Sequence, residues 1–221
     1  MDEKPQPARN RELSPIVSAD ASSPIAAFDF DGTLTWTDSF NAFLFDTCGA
    51  SRMAATAVAH PGLWTDYVRT RDRGALKSRF LYSLLGPVSQ AELQDRIAQF
   101  VTKRGLSLFR PDALAAWDSH AASGHRRVIV TASPELVVAP LGALIGADRV
   151  IGTRLGFSDD GQLRRDLDGI NCRGPEKARR LREAFGDGLD LDSAYGDTLG
   201  DREMLAAARH AHYRVFHGKS G

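Results

Sequence analysis

Ile25-Ala26-Ala27-Phe28-Asp29-Phe30-Asp31-Gly32-Thr33 decides how this chain is read. Four apolar residues run into an acidic pair and a glycine. Such a short apolar run suits a parallel strand buried on both faces, with polar chemistry at its C-terminal end. Two carboxylates two residues apart would point the same way on a regular strand, and Gly32 lets the backbone turn sharply. Carboxylates offer the hard oxygens that Mg²⁺ prefers. One carboxylate can attack phosphorus to give an aspartyl phosphate, while a second protonates the leaving alkoxide and then deprotonates water.

Upstream, residues 1–23 are rich in Pro, Ser and charge and read as a flexible tail, with a docking peptide as the alternative. Pro5, Pro7, Arg9, Asn10, Arg11 and Glu12 interrupt any signal-peptide core. Downstream, over residues 40–109, apolar residues recur at helical spacing (Phe40, Phe43, Leu44; Leu93, Ile97, Phe100, Val101). His60-Pro61-Gly62 and Leu85-Gly86-Pro87 divide that stretch into separate helices. Strand and helix then alternate again. Val128-Ile129-Val130 reads as a strand and 135–144 as a helix, and 151–155 and 162–165 flank a turn at Asp159-Asp160-Gly161 as a hairpin. Pro175 opens a helix closed by Gly186, a strand covers 191–195, a short helix 203–209 and a last strand 213–216. The expected fold is α/β. A Rossmann-like doubly wound parallel sheet is formed by 24–39 and 110–221, with an all-helical domain inserted at 40–109.

Composition narrows the classes. The 28 Lys and Arg balance 28 Asp and Glu, so bulk charge does not point to nucleic acid. No stretch approaches the ~20 apolar residues of a membrane helix. Two cysteines, Cys48 and Cys172, form no Cys-x-x-Cys pair or disulfide framework, and a reducing cytoplasm is expected.

Three further polar sites fall at strand ends or helix starts. Thr131-Ala132-Ser133 offers a hydroxyl and backbone N–H groups for phosphoryl oxygens. Lys177 offers a cation near the start of a helix. Gly196-Asp197-Thr198-Leu199-Gly200-Asp201 adds carboxylates suited to a metal. Each has a plain alternative: a strand-to-turn segment, a helix N-cap, a solvated lysine, an ordinary loop. Their common order and placement favour chemistry.

Together these segments resemble the haloacid dehalogenase superfamily, and within it the phosphoserine-phosphatase-like subfamily IB, with a helical C1-type cap inserted after the first motif. Phe28 to Thr35, Val130 to Ser133, Gly174 to Lys177 and Tyr195 through Leu205 match its four motifs, and the resemblance covers about Ile25 to Phe216. It implies a Mg²⁺-dependent phosphoric monoester hydrolase. Asp29 would be nucleophile and Mg²⁺ ligand. Asp31 would be the general acid/base and would bind Mg²⁺ through its carbonyl. Gly32, Thr131 and Ala132 would bind the phosphoryl group and Lys177 would steady it. Asp197 would ligate the metal, and Asp201 would hold it directly or through water. The acid at position 31 argues against a dehalogenase. The chain departs from phosphoserine phosphatases at Gly200, where Asn is common, and at Asp38, which stands for a longer Glu that reads the substrate amine.

The cap would choose the substrate. In Arg69, Arg71, Arg73, Lys77 and Arg79 the plain reading is a solvated helix face, and the sharper one a grip on an anionic group; Arg173 is a similar candidate. Asp38 would bind a cationic group or cap the first helix of the insertion. The six histidines show no metal-ligand spacing in sequence. A small phosphorylated metabolite is the expected substrate. The alternatives are a lipid phosphate of the phosphatidylglycerophosphate type, or no catalysis at all in a binding module.

Overall fold

The computed structural model describes residues 23–186 and 188–217. The expected tail lies outside the described residues apart from Ser23. Strand β1 (Ile25–Phe28) is followed by helices α1 (Ser39–Ala59), α2 (Pro61–Thr70), α3 (Arg73–Leu85) and α4 (Gln90–Arg104) and a short 3-10 turn. Then come α5 (Pro111–Ala122), β2 (Arg126–Pro134), α6 (Glu135–Leu144), β3 (Arg149–Thr153), β4 (Leu155–Phe157) and β5 (Leu163–Leu167). Helix α7 (Pro175–Phe185), β6 (Leu191–Gly196), α8 (Arg202–Ala207) and β7 (His210–Tyr213) complete the order.

The main sheet has the order β3-β2-β1-β6-β7 with every pair parallel, so the chain reverses its winding on either side of β1. Functional sites in such sheets form at the carboxyl ends of the strands beside this switch point. The period of two along each strand sorts its side chains onto two faces. Ile25, Ala27, Val128 and Val130 meet Leu181 of α7 and Met204 of α8. Ala26, Phe28 and Ile129 meet Trp117 of α5 and Val137, Val138 and Leu141 of α6. Phe28 lies 4.2 Å from the Tyr195 ring, nearly parallel, and 5.0 Å edge-on from Trp117.

The same second cluster continues without a break into α1, α3 and α4, through Phe40, Phe43, Leu44, Leu81, Leu84, Leu93, Ile97 and Phe100. Helix α2 is different, for only its Leu63 is buried while Trp64 and Val68 stay exposed. Gly49, at φ 75°, breaks α1 internally ahead of it. Among the described residues, no helix is long and apolar enough to cross a membrane.

Local expectations shift in four places. Strand β1 stops at Phe28, and Asp31 lies in a tight turn where Thr33, Leu34 and Thr35 all donate to the Phe30 carbonyl. The extended backbone of β2 runs on through Thr131-Ala132-Ser133, with a register irregularity between Val130 and Pro134. The first arm of the expected hairpin divides. Arg149–Thr153 joins the main sheet beside β2, while Leu155–Phe157 alone pairs with β5. The last strand covers His210–Tyr213 rather than 213–216, since Arg214, at φ 53°, ends it.

Candidate active site

Asp29 and Thr131 come together at the carboxyl end of the sheet, around a cavity of about 150 Å³ bounded also by Asp31, Lys177, Asp201 and Thr198, while Asp197, just past the end of β6, meets Asp29 and Asp201 beside that cavity. The Asp29 amide donates to the Tyr195 carbonyl at 2.9 Å, which carries the β1–β6 ladder one step past the strand and seats the carboxylate at the sheet edge.

Lys177 occupies the centre. Pro175 starts α7 so that Lys177 falls in its first turn, 2 % exposed, with Nζ 2.5 Å from Asp29 Oδ1 and 2.6 Å from Asp201 Oδ1. Burial opposes the ammonium charge, but Asp29 and then Asp201 outweigh it, so the lysine is held above its ordinary range and stays charged. Burial pushes the Asp29 carboxyl up to about 7, against the pull of Lys177 and with help from the charge on Asp201.

Asp201 has both oxygens engaged. Oδ1 accepts from Lys177, and Oδ2 accepts from the amides of Asp197 and Thr198 and from the Thr198 hydroxyl. Burial would raise its pKa, but Lys177 and these donors bring the net shift below the usual value. Two glycines make room for the carboxylates: a Cβ on Gly32 would sit 2.5 Å from Asp197 Oδ2, and one on Gly196 would sit 2.5 Å from Asp201 Cβ. Asp29, Asp197 and Asp201 offer oxygens that all lie within 4.8 Å of one another. This all-carboxylate donor set fits Mg²⁺ in charge and hardness.

Asp31 lines the same cavity as Asp29, but its carboxylate is held by a different set of partners. Its Oδ1 accepts from the Ser39 amide at the start of α1 at 2.7 Å, and its Oδ2 accepts from the Ser133 hydroxyl. Burial, and next the nearby charge of Asp38, raise its pKa above the usual carboxylate range. Asp38 caps α1 through Oδ1, which accepts from the Asn41 amide at 2.9 Å, and its Oδ2 lies 2.8 Å from Lys77 Nζ. Lys77 in turn donates to Ser133 Oγ at 3.2 Å. A chain of polar contacts thus links Asp38, Lys77, Ser133 and Asp31. In the sequence Ser133 stands only as the last residue of a motif, and nothing in the spacing of Lys77 sets it apart from its basic neighbours.

The basic cluster divides on folding. Arg73 and Lys77, one helical turn apart on α3, border the cavity. Arg79 turns instead to Asp66 at 3.1 Å and Asp166 at 3.1 Å, and Arg69 is an exposed neighbour of Asp66. Arg173 enters the cavity from the loop before α7, lying across Gly200, where an added Cβ would be 2.9 Å from its guanidinium carbon. Gly74 lets α3 press onto that loop, since a Cβ there would be 2.7 Å from the Asn171 side chain. The Cys172 thiol is fully buried, and burial pushes it up to about 11.

The sequence pattern described as haloacid dehalogenase-like hydrolase matches residues 26–206, and the chain belongs to that family. It is 48 % identical over 195 residues to Protein CicA of Caulobacter vibrioides, covering 88 % of this chain and 87 % of that protein. A Neisseria meningitidis protein named histidinol-phosphatase is 26 % identical over 180 residues, 79 % of each chain. Among solved structures, a Bordetella pertussis protein of unknown function superposes with a TM-score of 0.69 at 26 % identity, over 84 % of this chain and 86 % of that one. Apo phosphoserine phosphatase gives 0.54 at 18 % identity, over 84 % and 83 %, a likeness of fold.

Proposed function

We propose that this haloacid dehalogenase-like hydrolase is a Mg²⁺-dependent phosphatase, which hydrolyses a small phosphomonoester through an aspartyl phosphate on Asp29. The observation that carries the reading is Lys177, buried within 2.6 Å of both Asp29 and Asp201 in a ring of carboxylates. A lone buried cation among acids is suited to steadying a nucleophile and the anion it attacks.

In this mechanism Asp29 Oδ2, the oxygen not held by Lys177, attacks phosphorus and the P–O bond to the leaving group breaks. Asp31, whose raised pKa suits a carboxyl that carries a proton, gives that proton to the departing alkoxide. It then takes a proton from the water that cleaves the acyl phosphate and regenerates Asp29. Thr131 and the backbone at Gly32 and Ala132 bind phosphoryl oxygens. Asp29, Asp197 and the Asp31 carbonyl would hold Mg²⁺, which supplies positive charge to the phosphoryl group. Asp201, with its oxygens filled by four donors, would act on the metal site at one remove by fixing Lys177 and the 197–198 backbone.

The helices α1–α4 serve in this reading as the cap, and their position after the first motif supports the phosphoserine-phosphatase-like branch, subfamily IB. The substrate is phosphoserine-like in size, but Asp38 is already paired with Lys77, while Arg73 and Arg173 add positive charge at the cavity wall. A substrate with a second anionic group fits better than one recognised by its amine. A cavity of about 150 Å³ is below the usual ~300–1,000 Å³ of drug-sized ligand sites, which speaks against enclosing a lipid tail. Two unpaired thiols suit the reducing cytoplasm. The test is a panel of phosphomonoesters, including phosphoserine and phosphatidylglycerophosphate, with and without Mg²⁺. Asp29→Asn is expected to abolish Mg²⁺-dependent hydrolysis of an aryl phosphate. Unchanged turnover in that variant refutes the nucleophile, and a folded parent inactive on every ester favours a binding module.

A further inference from the structure

At the opposite end of the sheet from the carboxylates, folding gathers a second group of ligating side chains. His120, in the last turn of α5, faces His125, in the turn before β2, with their Nδ1 atoms 2.7 Å apart. Asp192, near the start of β6, brings Oδ2 to 3.9 Å from His125 Nδ1. One donor atom from each of the three lies within 4.8 Å of the others, and all three residues are partly exposed, which leaves a path for an ion. Asp197 follows Asp192 by five positions, just past the end of β6, about 17 Å along the strand, so this group is distinct from the carboxylate ring.

We infer that His120, His125 and Asp192 form a second metal site, which takes a borderline divalent ion of the zinc type and leaves one coordination position to water. Two imidazole nitrogens and one carboxylate make a donor set that suits Zn²⁺ and Co²⁺ and gives Mg²⁺ little advantage. The outer contacts are of the kind that orient metal ligands. His120 Nε2 is 2.9 Å from the Tyr195 hydroxyl, and Tyr195 is itself clamped between Phe28 at 4.2 Å and His212 at 4.3 Å. The Ser193 hydroxyl donates to Asp192 Oδ2 at 2.8 Å, and His210 Nδ1 lies 3.5 Å from Asp192 Oδ1.

Without metal, the close Nδ1 pair requires that one ring carry its proton there and the other present a lone pair. Taking up an ion moves that proton to Nε2 of the same ring, so that both Nδ1 lone pairs are free. Nitrogens at ~2.0–2.1 Å from a tetrahedral ion stand about 3.4 Å apart. The two rings therefore separate by about 0.7 Å. The shift falls to His125, which sits in a turn, while Tyr195 holds His120.

Equilibrium dialysis of the full chain against Zn²⁺ in excess Mg²⁺, and the visible spectrum of the Co²⁺ form, test the site. The expected result is one equivalent of Zn²⁺, a nitrogen-ligated four-coordinate Co²⁺ spectrum and a higher melting temperature with Zn²⁺. All three should persist in Asp197→Asn and disappear in both His125→Gln and Asp192→Asn. No retained Zn²⁺ in the parent overturns the proposal whatever the variants do. So does Zn²⁺ that is lost in Asp197→Asn but kept in His125→Gln, which would assign the ion to the carboxylate ring.

Discussion

Replacing Lys177 by methionine keeps most of its volume and removes the one charge that lies against both Asp29 and Asp201, at 2.5 and 2.6 Å. Breaking a buried ion pair by deleting one partner costs about 3–5 kcal/mol, because the charge left behind is neither solvated nor paired. With about 2–4 °C of melting temperature per kcal/mol in a chain of this size, Lys177→Met should melt roughly 6–20 °C lower. The loss should depend on pH. The Asp29 carboxyl is already raised to about 7 in the parent, and without the lysine it rises further. A carboxyl raised on folding costs stability that grows as pH climbs from its unfolded value through its folded one. The deficit of the variant is therefore largest near pH 8 and eases toward pH 5, where Asp29 takes up a proton. Added Mg²⁺ should recover part of the deficit at pH 8 by supplying the missing positive charge. Urea unfolding of parent and variant at both pH values, with and without Mg²⁺, measures all of this. A deficit below about 1 kcal/mol at pH 8, or one that does not shrink on acidification, would refute the account of Lys177 as the charge the carboxylates depend on.

Gly200→Ala places a methyl group 2.9 Å from Arg173 Cζ and 3.0 Å from its Cγ, so the guanidinium must leave the cavity wall. KM for a substrate with a second anionic group should rise roughly tenfold, the value of one charge-assisted contact, with aryl phosphate hydrolysis little changed; an equal loss on both would show damage to the loop instead. The Arg179 guanidinium, and Arg180 beside it, hold Glu176 down at about 2, below its ordinary 4.5. This stabilisation is complete above pH 4.5 and is lost as pH falls through about 2, so the melting-temperature gap between parent and Glu176→Gln should close across that window. Gly152→Ala would bring a Cβ within 2.8 Å of the Glu135 Cα, backbone that cannot swing aside, and should destabilise the β3–α6 contact by about 1–3 kcal/mol in chemical denaturation.

The parallel sheet could be read from short β-branched and apolar runs, because burial on both faces demands them. The four polar segments were legible because each sits where a strand ends or a helix begins. The arm 149–157 was not, since one continuous apolar stretch serves two sheets and only Arg154 marks the division. The site residues on α3 were hidden for another reason. Arg69, Arg71, Arg73, Lys77 and Arg79 are alike in type, and only the folded arrangement, with Gly74 against Asn171, shows that Arg73 and Lys77 border the cavity. The histidine cluster was invisible because its members are joined across α5, a turn and β6, not along the chain.

The apolar cluster that runs from β1 and β2 into α1, α3 and α4 has a consequence for how the molecule breathes. Lifting those helices as one body would bring Phe40, Phe43, Leu81 and Phe100 into water, an opening close in cost to unfolding. Their backbone amides should accordingly exchange with deuterium only on the slow timescale of the whole domain. Helix α2, buried at Leu63 alone and preceded by the break at Gly49, can detach at little cost. Its amides should exchange first, and a protease should cut there first.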